Sequence, residues 1–131
     1  MAKTKQFTIT VQNQPGTVAQ IARTLGAAKV NILALLATSQ GATGTVQLVA
    51  ENPRQAKKAL DAAGIAYAET TAEEVALANK PGALADCLDK LAAKGINLSS
   101  IHATAAKGGR TAVVVYSAEA SAKSAAAGSQ P

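Results

Sequence analysis

The chain of 131 residues is long enough for one ordinary domain or two small ones, and its 48% apolar content includes one Phe, two Tyr and no Trp. The core therefore has to be built from Ala, Val, Leu and Ile. The single cysteine, Cys87, excludes an intrachain disulfide and a cysteine metal cluster, and the lysines behind the net charge of +5 are too scattered to form one basic surface.

The first half of the chain predicts the order strand, helix, strand, strand, helix, strand. Alternation around Ile9 indicates a strand, whereas Val18, Ile21 and Leu25 are spaced as one helix face. Asn52 is a suitable N-cap for the second helix. The predicted elements are a strand at 7–11, a turn at 13–16, a helix at 18–28, a strand at 30–38, a turn at 41–44, a strand at 45–50, a helix at 53–63 and a strand at 65–68.

The second half repeats this order up to its hairpin. A helix carries Leu84, Leu88 and Leu91, and the hairpin turns at Gly108 and Gly109. The remaining predictions are strands at 74–78, 98–104 and 110–116, a weak helix in the Ala-rich tail at 119–127, and disorder at 128–131. The chain ends where another strand is expected, so the second sheet is expected to lack its last strand or to borrow one.

The predicted fold class is α+β, with two ferredoxin-like βαββαβ units whose antiparallel sheets carry helices on one face. Unit one is expected at 1–70 and unit two at 71–131. The halves also match in sequence, since segments 13–32 and 79–98 align at an offset of 66 positions without a gap. The same offset places Thr45 on Thr111 and Val49 on Val115. We interpret this match as an internal duplication.

The repeated turn, Asn-x-Pro-Gly, delivers a strand into the start of a helix. The amides that follow it, on Thr17 and Val18 and on the equivalent residues of the second copy, are helix-start donors that attract a carboxylate or phosphate. Asn13 and Asn79 add amide donors and an acceptor beside those amides. A free amino acid needs both kinds of partner, although a Pro-Gly pair at a strand–helix junction can also be a turn and nothing more.

Asn31 and Asn97 begin the second strand of each unit, which lies at the sheet edge in a ferredoxin-like order. If two units pair along that edge, each strand-start asparagine faces the turn of the other unit. The predicted pairs are Asn13 with Asn97 and Asn79 with Asn31. The alternative is that Asn31 and Asn97 cap the preceding helix or bond the sheet edge.

These features together resemble the ACT-domain family of regulatory modules in amino-acid metabolism, over residues 5–118. The resemblance implies a non-catalytic protein without a cofactor that binds a free amino acid between units, pairs as a homodimer and acts on a partner enzyme. In serine-binding members a His precedes the turn asparagine by two positions, and Val11 and Leu77 replace it here, which weighs against serine. The implied ligand-binding residues are Asn13, Gln14, Pro15, Gly16, Thr17, Val18, Asn31, Ile32, Asn79, Lys80, Pro81, Gly82, Ala83, Leu84, Asn97 and Leu98.

Other functions receive less support from the sequence. The lone His102 makes a poor metal site, Asp86 and Asp89 are typical of a solvated helix face, and no nucleophile motif is present, so catalysis and metal binding are not expected. RNA binding would need aromatic residues on the sheet, where only Phe7 and Tyr116 are found. A subunit acting only through protein contacts stays open. No signal peptide or membrane-length apolar stretch is found, so a cytoplasmic protein is expected.

Overall fold

The computed structural model describes residues 2–119, which form two compact units. The first unit is Thr4–Thr71. The second contains residues 72–119 together with residues 2 and 3 from the start of the chain. Residues from the beginning of the sequence thus contribute to the unit that was expected to lack a strand.

The first unit has the predicted βαββαβ order. Lys5 Nζ donates to Thr71 Oγ1 over 2.9 Å, which places the start of the last strand beside the first. The strand order β2-β3-β1-β4 is the ferredoxin-like order, with β2 at the edge. The elements are β1 (Ala2–Gln12), α1 (Thr17–Ala27), β2 (Ile32–Gln40), β3 (Thr43–Ala50), α2 (Pro53–Ala62) and β4 (Ala68–Ala78), of which residues 68–71 belong to this unit.

Both helices of the first unit pack on the same face of its sheet. Phe7 of β1 lies opposite Leu48 of β3, and both are fully buried. Ile21 and Leu25 of α1 and Leu60 of α2 are buried in the same cluster. Each such side chain contributes about 1.5–3 kcal/mol when removed from water, so this aliphatic cluster stabilises the unit despite its single Phe.

The second unit contains the rest of β4, α3 (Ala83–Ala93), β5 (Leu98–Ala105) and β6 (Thr111–Ala118), in the strand order β4-β6-β5. Its smaller core is formed by Leu91 of α3 with Val114 and Tyr116 of β6. No strand follows β6 within residues 2–119. The predicted tail helix, apart from its first residue Glu119, and the predicted disorder at 128–131 lie outside the described residues.

The predicted short strand at 65–68 is wrong. Residues 65–67 form no strand, and β4 begins at Ala68 and continues without a break to Ala78. Ile65 instead closes the end of α2, where its N–H donates to the Leu60 carbonyl, and it packs on the first core. Tyr67 also covers this core, with its ring edge-on to Phe7 at a centroid distance of 5.3 Å. Ile65 and Tyr67 thus cover the end of α2 and the core beside it, and they do not form an alternating strand.

The ungapped match between the halves is also wrong beyond the second strand. Ile9 pairs with Val46 in the first unit, whereas Val75 pairs with Val114 in the second. The first strands are therefore offset by 66 positions and the third strands by 68, so Thr45 corresponds to Val113 and not to Thr111. Counted between equivalent cross-strand pairs, Ser39 with Gly44 and Ala105 with Ala112, the hairpin of the second unit contains two more residues than that of the first. The sequence alone does not reveal this difference, because the strands are rich in Thr and Val at both offsets.

Candidate ligand-binding site

Both Asn-x-Pro-Gly turns end in a glycine with a left-handed backbone. Gly16 has φ 91° and Gly82 has φ 87°, and each occupies the N-cap position of the helix that follows. A side chain is disfavoured there because of the positive φ. Crowding is not the reason, since a Cβ at either glycine would meet no atom within 4 Å. The left-handed backbone therefore explains why glycine is found at both positions.

The starts of α1 and α3 are not capped by any side chain. Within residues 2–119, the N–H groups of Val18 and Ala19 bond to no other group, and the same holds at the start of α3. The start of α2 differs, because Asn52 Oδ1 accepts from the Gln55 N–H over 3.1 Å. The N–H groups of Thr17 and Ala83, which were predicted as ligand donors, instead bond to the carbonyls of Gln14 and Lys80 over 3.4 and 3.2 Å. The two repeated turns therefore leave only the next N–H groups of each helix open to a ligand, whereas the start of α2 has a side-chain cap.

The turn asparagines attach each turn to the neighbouring hairpin. Asn13 Nδ2 donates to the Gly41 carbonyl over 2.8 Å, and Asn79 Nδ2 donates to the Gly109 carbonyl over 2.8 Å. The main-chain N–H of Asn13 also bonds to the Ala42 carbonyl. Their side-chain oxygens accept no bond from residues 2–119, so each turn keeps one acceptor beside its open donors.

Each unit has a cavity between its turn, its helix start and the end of its hairpin. The first cavity measures about 240 Å³ and the second about 190 Å³. All eleven residues that line the second cavity correspond to residues that line the first, once the longer hairpin is allowed for. The predicted site residues found in these linings are Asn13, Gln14, Gly16, Thr17 and Val18 in the first, and Asn79, Lys80, Ala83 and Leu84 in the second.

The strand-start asparagines lie elsewhere in each unit. Asn31 precedes β2, whereas the first cavity is lined by Ala37, Thr38 and Ser39 near the other end of that strand. Asn97 has the same relation to β5. The residues after them, Ile32 and Leu98, pack against the two cores, and Pro15, Pro81 and Gly82 line neither cavity. No single unit brings both kinds of asparagine together.

Both strand-start asparagines bond to a glutamate that sequence reasoning missed. Asn31 Nδ2 donates to Glu51 Oε2 over 3.1 Å, and Asn97 Nδ2 donates to Glu119 Oε2 over 2.7 Å. The glutamate N–H groups donate back to the asparagine carbonyls over 2.9 and 2.7 Å. The signal in the sequence is an Ala-Glu pair at the end of the third strand of each unit, at an offset of 68 positions.

Comparison with known proteins decides the family. A family model described as an ACT domain pair matches residues 2–126. The chain belongs to this family. The match confirms the resemblance found in the sequence and the assignment of two ferredoxin-like ACT units.

Solved structures support the same ACT-pair fold. Protein BT0572 from Bacteroides thetaiotaomicron is 26% identical, with a TM-score of 0.79, over 89% of this chain and 80% of that one. The ligand-free regulatory subunit of aspartate kinase from Thermus thermophilus is 17% identical, with a TM-score of 0.64, over 88% and 84% of the two chains. No functionally curated protein matches the sequence significantly.

The remaining candidate groups do not form a second site. Within residues 2–119, no three His, Cys, Asp or Glu side chains are grouped so that they could hold a metal ion. In the same range, no helix is long and apolar enough to cross a membrane. Cys87 is half-buried in α3 of the second ACT unit. His102 lies opposite Val115 and is half-buried, and its Nδ1 has no hydrogen-bond partner among the described residues.

We expect His102 to make the stability of the protein depend on pH. Burial lowers its pKa from the usual 6.5, so the unfolded chain binds the proton more readily than the folded one. The free energy of unfolding should therefore fall as pH drops below 6.5, until the folded-state pKa is passed. His102→Leu places there the residue found at the equivalent position 36. Urea unfolding between pH 5 and 8 should show a shallower acid-side decline in the variant, and parallel curves would contradict this prediction.

Proposed function

We propose that this ACT pair is a non-catalytic regulatory module that binds a free amino acid or a similar small zwitterion. The observation that carries the proposal is the presence of two equivalent cavities, each with an uncapped helix start on one side. Duplication has kept the donors and the asparagine of the turn while other lining residues differ. Ligand binding at both turns explains that pattern better than a structural role for the turns alone.

The open start of the helix is proposed to bind the ligand carboxylate. The free N–H groups of Val18 and Ala19 point out of the first turn of α1, and the helix dipole adds partial positive charge at the same place. Asn13 is held beside them by its bond to Gly41, so its position does not have to be fixed when the ligand binds. The start of α3 offers the same arrangement with Asn79.

The two hydrogen-bonded Asn–Glu pairs at the strand starts are proposed to bind the ligand ammonium. Asn31 donates to Glu51, which leaves its side-chain oxygen and the Glu51 carboxylate as acceptors, and Asn97 with Glu119 repeats the arrangement. Within one unit, Asn31 and the first cavity residue of β2, Ala37, are six positions apart, which is about 20 Å of strand. The two charged groups of an amino acid are attached to one carbon. We therefore propose that a ligand meets the turn of one unit and the strand start of another, with Asn13 paired with Asn97 and Asn79 with Asn31.

Isothermal titration calorimetry against the twenty common amino acids, with thermal-shift assays in parallel, tests the proposal. At least one amino acid should bind and stabilise the protein by about 2.7 kcal/mol at a hundredfold excess over its Kd. Substitution of Asn13 or Asn79 with alanine should weaken that binding. Failure of all twenty to bind at millimolar concentrations would contradict the proposed function.

We also propose that the module acts through an enzyme of amino-acid metabolism in the cytoplasm. Neighbouring structures of similar fold are described as regulatory subunits of aspartate kinase, which supports a partner enzyme without identifying it. A reducing compartment suits a chain whose single cysteine can form no intrachain disulfide. By linkage, a partner that prefers the ligand-bound form would bind more tightly in the presence of the amino acid.

A role in binding RNA receives no support from the aromatic residues of the two sheets. Phe7 is fully buried on the helix-covered face, and Tyr116 is only 4% exposed in the second core. Single-stranded RNA is bound by stacking bases on exposed rings. Neither of these rings is available for stacking.

Exposed leucines on an edge strand favour a homodimer. Leu33, Leu35 and Leu36 of β2 are 40%, 40% and 47% exposed, and β2 has a neighbour on one side only within its unit. Leu36→Lys should therefore convert a dimer into a monomer, because a buried charge at a paired edge is strongly unfavourable. Size-exclusion chromatography with light scattering measures the mass. Ala22→Lys, which adds the same charge to the exposed face of α1, is the control, and an equal mass for both variants would contradict the prediction.

A further inference from the structure

We propose that the two cavities bind different classes of ligand, and that Lys80 determines the difference. The first cavity takes an amino acid with an uncharged, hydrogen-bonding side chain, and the second takes one with an acidic side chain. This inference rests on the proposed function, because it assigns side-chain specificity to the same two sites.

The equivalent lining residues differ in chemical character. Gln14 and Thr17 of the first cavity correspond to Lys80 and Ala83 of the second, and Ser39 corresponds to Ala105. The first lining thus offers amide and hydroxyl groups without a charge. The second loses those hydroxyl groups and gains one ammonium group on a flexible stem, which is suited to a second carboxylate of the ligand.

The surroundings of the second cavity are also more basic. Its longer hairpin connection carries Lys107 and Arg110, and Asn79 ties the turn to this connection through the carbonyls of Gly109 and Arg110. The nearest acidic residue on α3, Asp86, lies in the first turn of the helix but does not line the cavity.

The corresponding connection of the first unit has no charged residue between the ends of its strands. The turn and the hairpin connection of the second unit therefore carry more positive charge than those of the first.

The second site consequently has two separate partners for negative charge. The start of α3 is available for the α-carboxylate, and Lys80 is available for a side-chain carboxylate, with aliphatic residues such as Leu84 around the stem of the ligand. Among the described residues that line it, the first site has only the helix start for negative charge, and Gln14 and Ser39 can instead donate to and accept from an amide or hydroxyl group.

Two matched pairs of probes test this proposal on the full chain: aspartate with asparagine, and glutamate with glutamine. Titration of ¹⁵N-labelled protein, followed by NMR at the side-chain amides of Asn13 and Asn79, reports each site separately. The acidic member of a pair should shift the Asn79 signals at lower concentration than the amide does, and the amide should be preferred at Asn13. Raising the salt concentration should weaken only the acidic preference at Asn79.

Reciprocal variants provide the matched control. Lys80→Gln should weaken acidic binding at Asn79 about three- to fivefold, as is typical of an exposed ion pair, and Gln14→Lys should increase it at Asn13. Both positions are exposed, and a thermal melt verifies the fold. Equal preferences at the two sites, or binding of some other amino acid but of none of these four, would overturn this inference and leave the proposed function standing. If no amino acid binds at either site, both are overturned.

Discussion

Phe7→Ala is expected to lower the free energy of unfolding by about 3–5 kcal/mol, the range for removal of a large aromatic side chain from a core. Phe7 is the only phenylalanine in the chain and is fully buried. It lies opposite Leu48 in the sheet and contacts the ring of Tyr67 edge-on. The other surrounding side chains are aliphatic and are fixed on two strands and two helices, so they cannot collapse to fill the space.

Urea unfolding followed by circular dichroism at pH 7 measures this loss. A domain of this size has a total stability of about 5–15 kcal/mol, so the first unit of the variant should be largely unfolded in moderate urea. Arg23→Ala is the control, since Arg23 is exposed on α1 and its substitution should change stability by less than about 0.5 kcal/mol. A loss below about 1 kcal/mol for Phe7→Ala would mean that the core described around this ring is wrong.

Much of the fold follows from local patterns in the sequence. The helix face of Ile21 and Leu25, the N-cap Asn52 and the alternation around Ile9 depend on neighbouring residues only, and all three are found in the structure. The failures occur where the pattern is ambiguous. Ile65 and Tyr67 have strand composition, but they pack against the first core, a contact that no local pattern reveals.

Strand boundaries and offsets were predicted less well for a related reason. Gly44 was assigned to the hairpin turn, whereas it lies inside β3 and is buried, with the Thr38 carbonyl 2.9 Å from where a Cβ would be. Ala112 occupies the equivalent position in the second unit, so no glycine pattern marks it. The two-residue difference between the hairpins becomes visible only when cross-strand partners are known.

In the candidate site, too, some residues could be predicted from the local sequence and others could not. Asn13, Asn79 and the glycines after them could be recognised because the turn is repeated in sequence. Glu51 and Glu119 could not, because their role depends on the pairing that returns the third strand to the start of the second, and they lie 20 and 22 positions away from their asparagines. The two glutamates are 68 positions apart, so they are not matched in the ungapped alignment, which uses an offset of 66.

Glu51→Gln is expected to weaken amino-acid binding at the Asn79 turn, the one proposed to pair with Asn31, by about ten- to a hundredfold. A hydrogen bond to a charged group contributes about 1.5–3 kcal/mol, and each 1.4 kcal/mol corresponds to a factor of ten. The glutamine oxygen can still accept from Asn31 Nδ2, so the bond of 3.1 Å seen with Glu51 has a replacement. The variant thus removes the negative charge offered to the ligand ammonium and keeps the link between β2 and β3.

The control for this variant is a matched ligand. The same compound without its amino group has a carboxylate for the helix start and no ammonium, so its affinity should not fall in Glu51→Gln and can rise as repulsion from the Glu51 carboxylate is lost. Calorimetry with both ligands and both proteins forms a cycle that isolates the ammonium–Glu51 interaction. Equal losses for the two ligands would assign Glu51 a structural role only. No loss for either, while the wild type binds the amino acid, would place the ammonium away from the Asn31–Glu51 pair and remove the reason for pairing Asn31 with Asn79 across units.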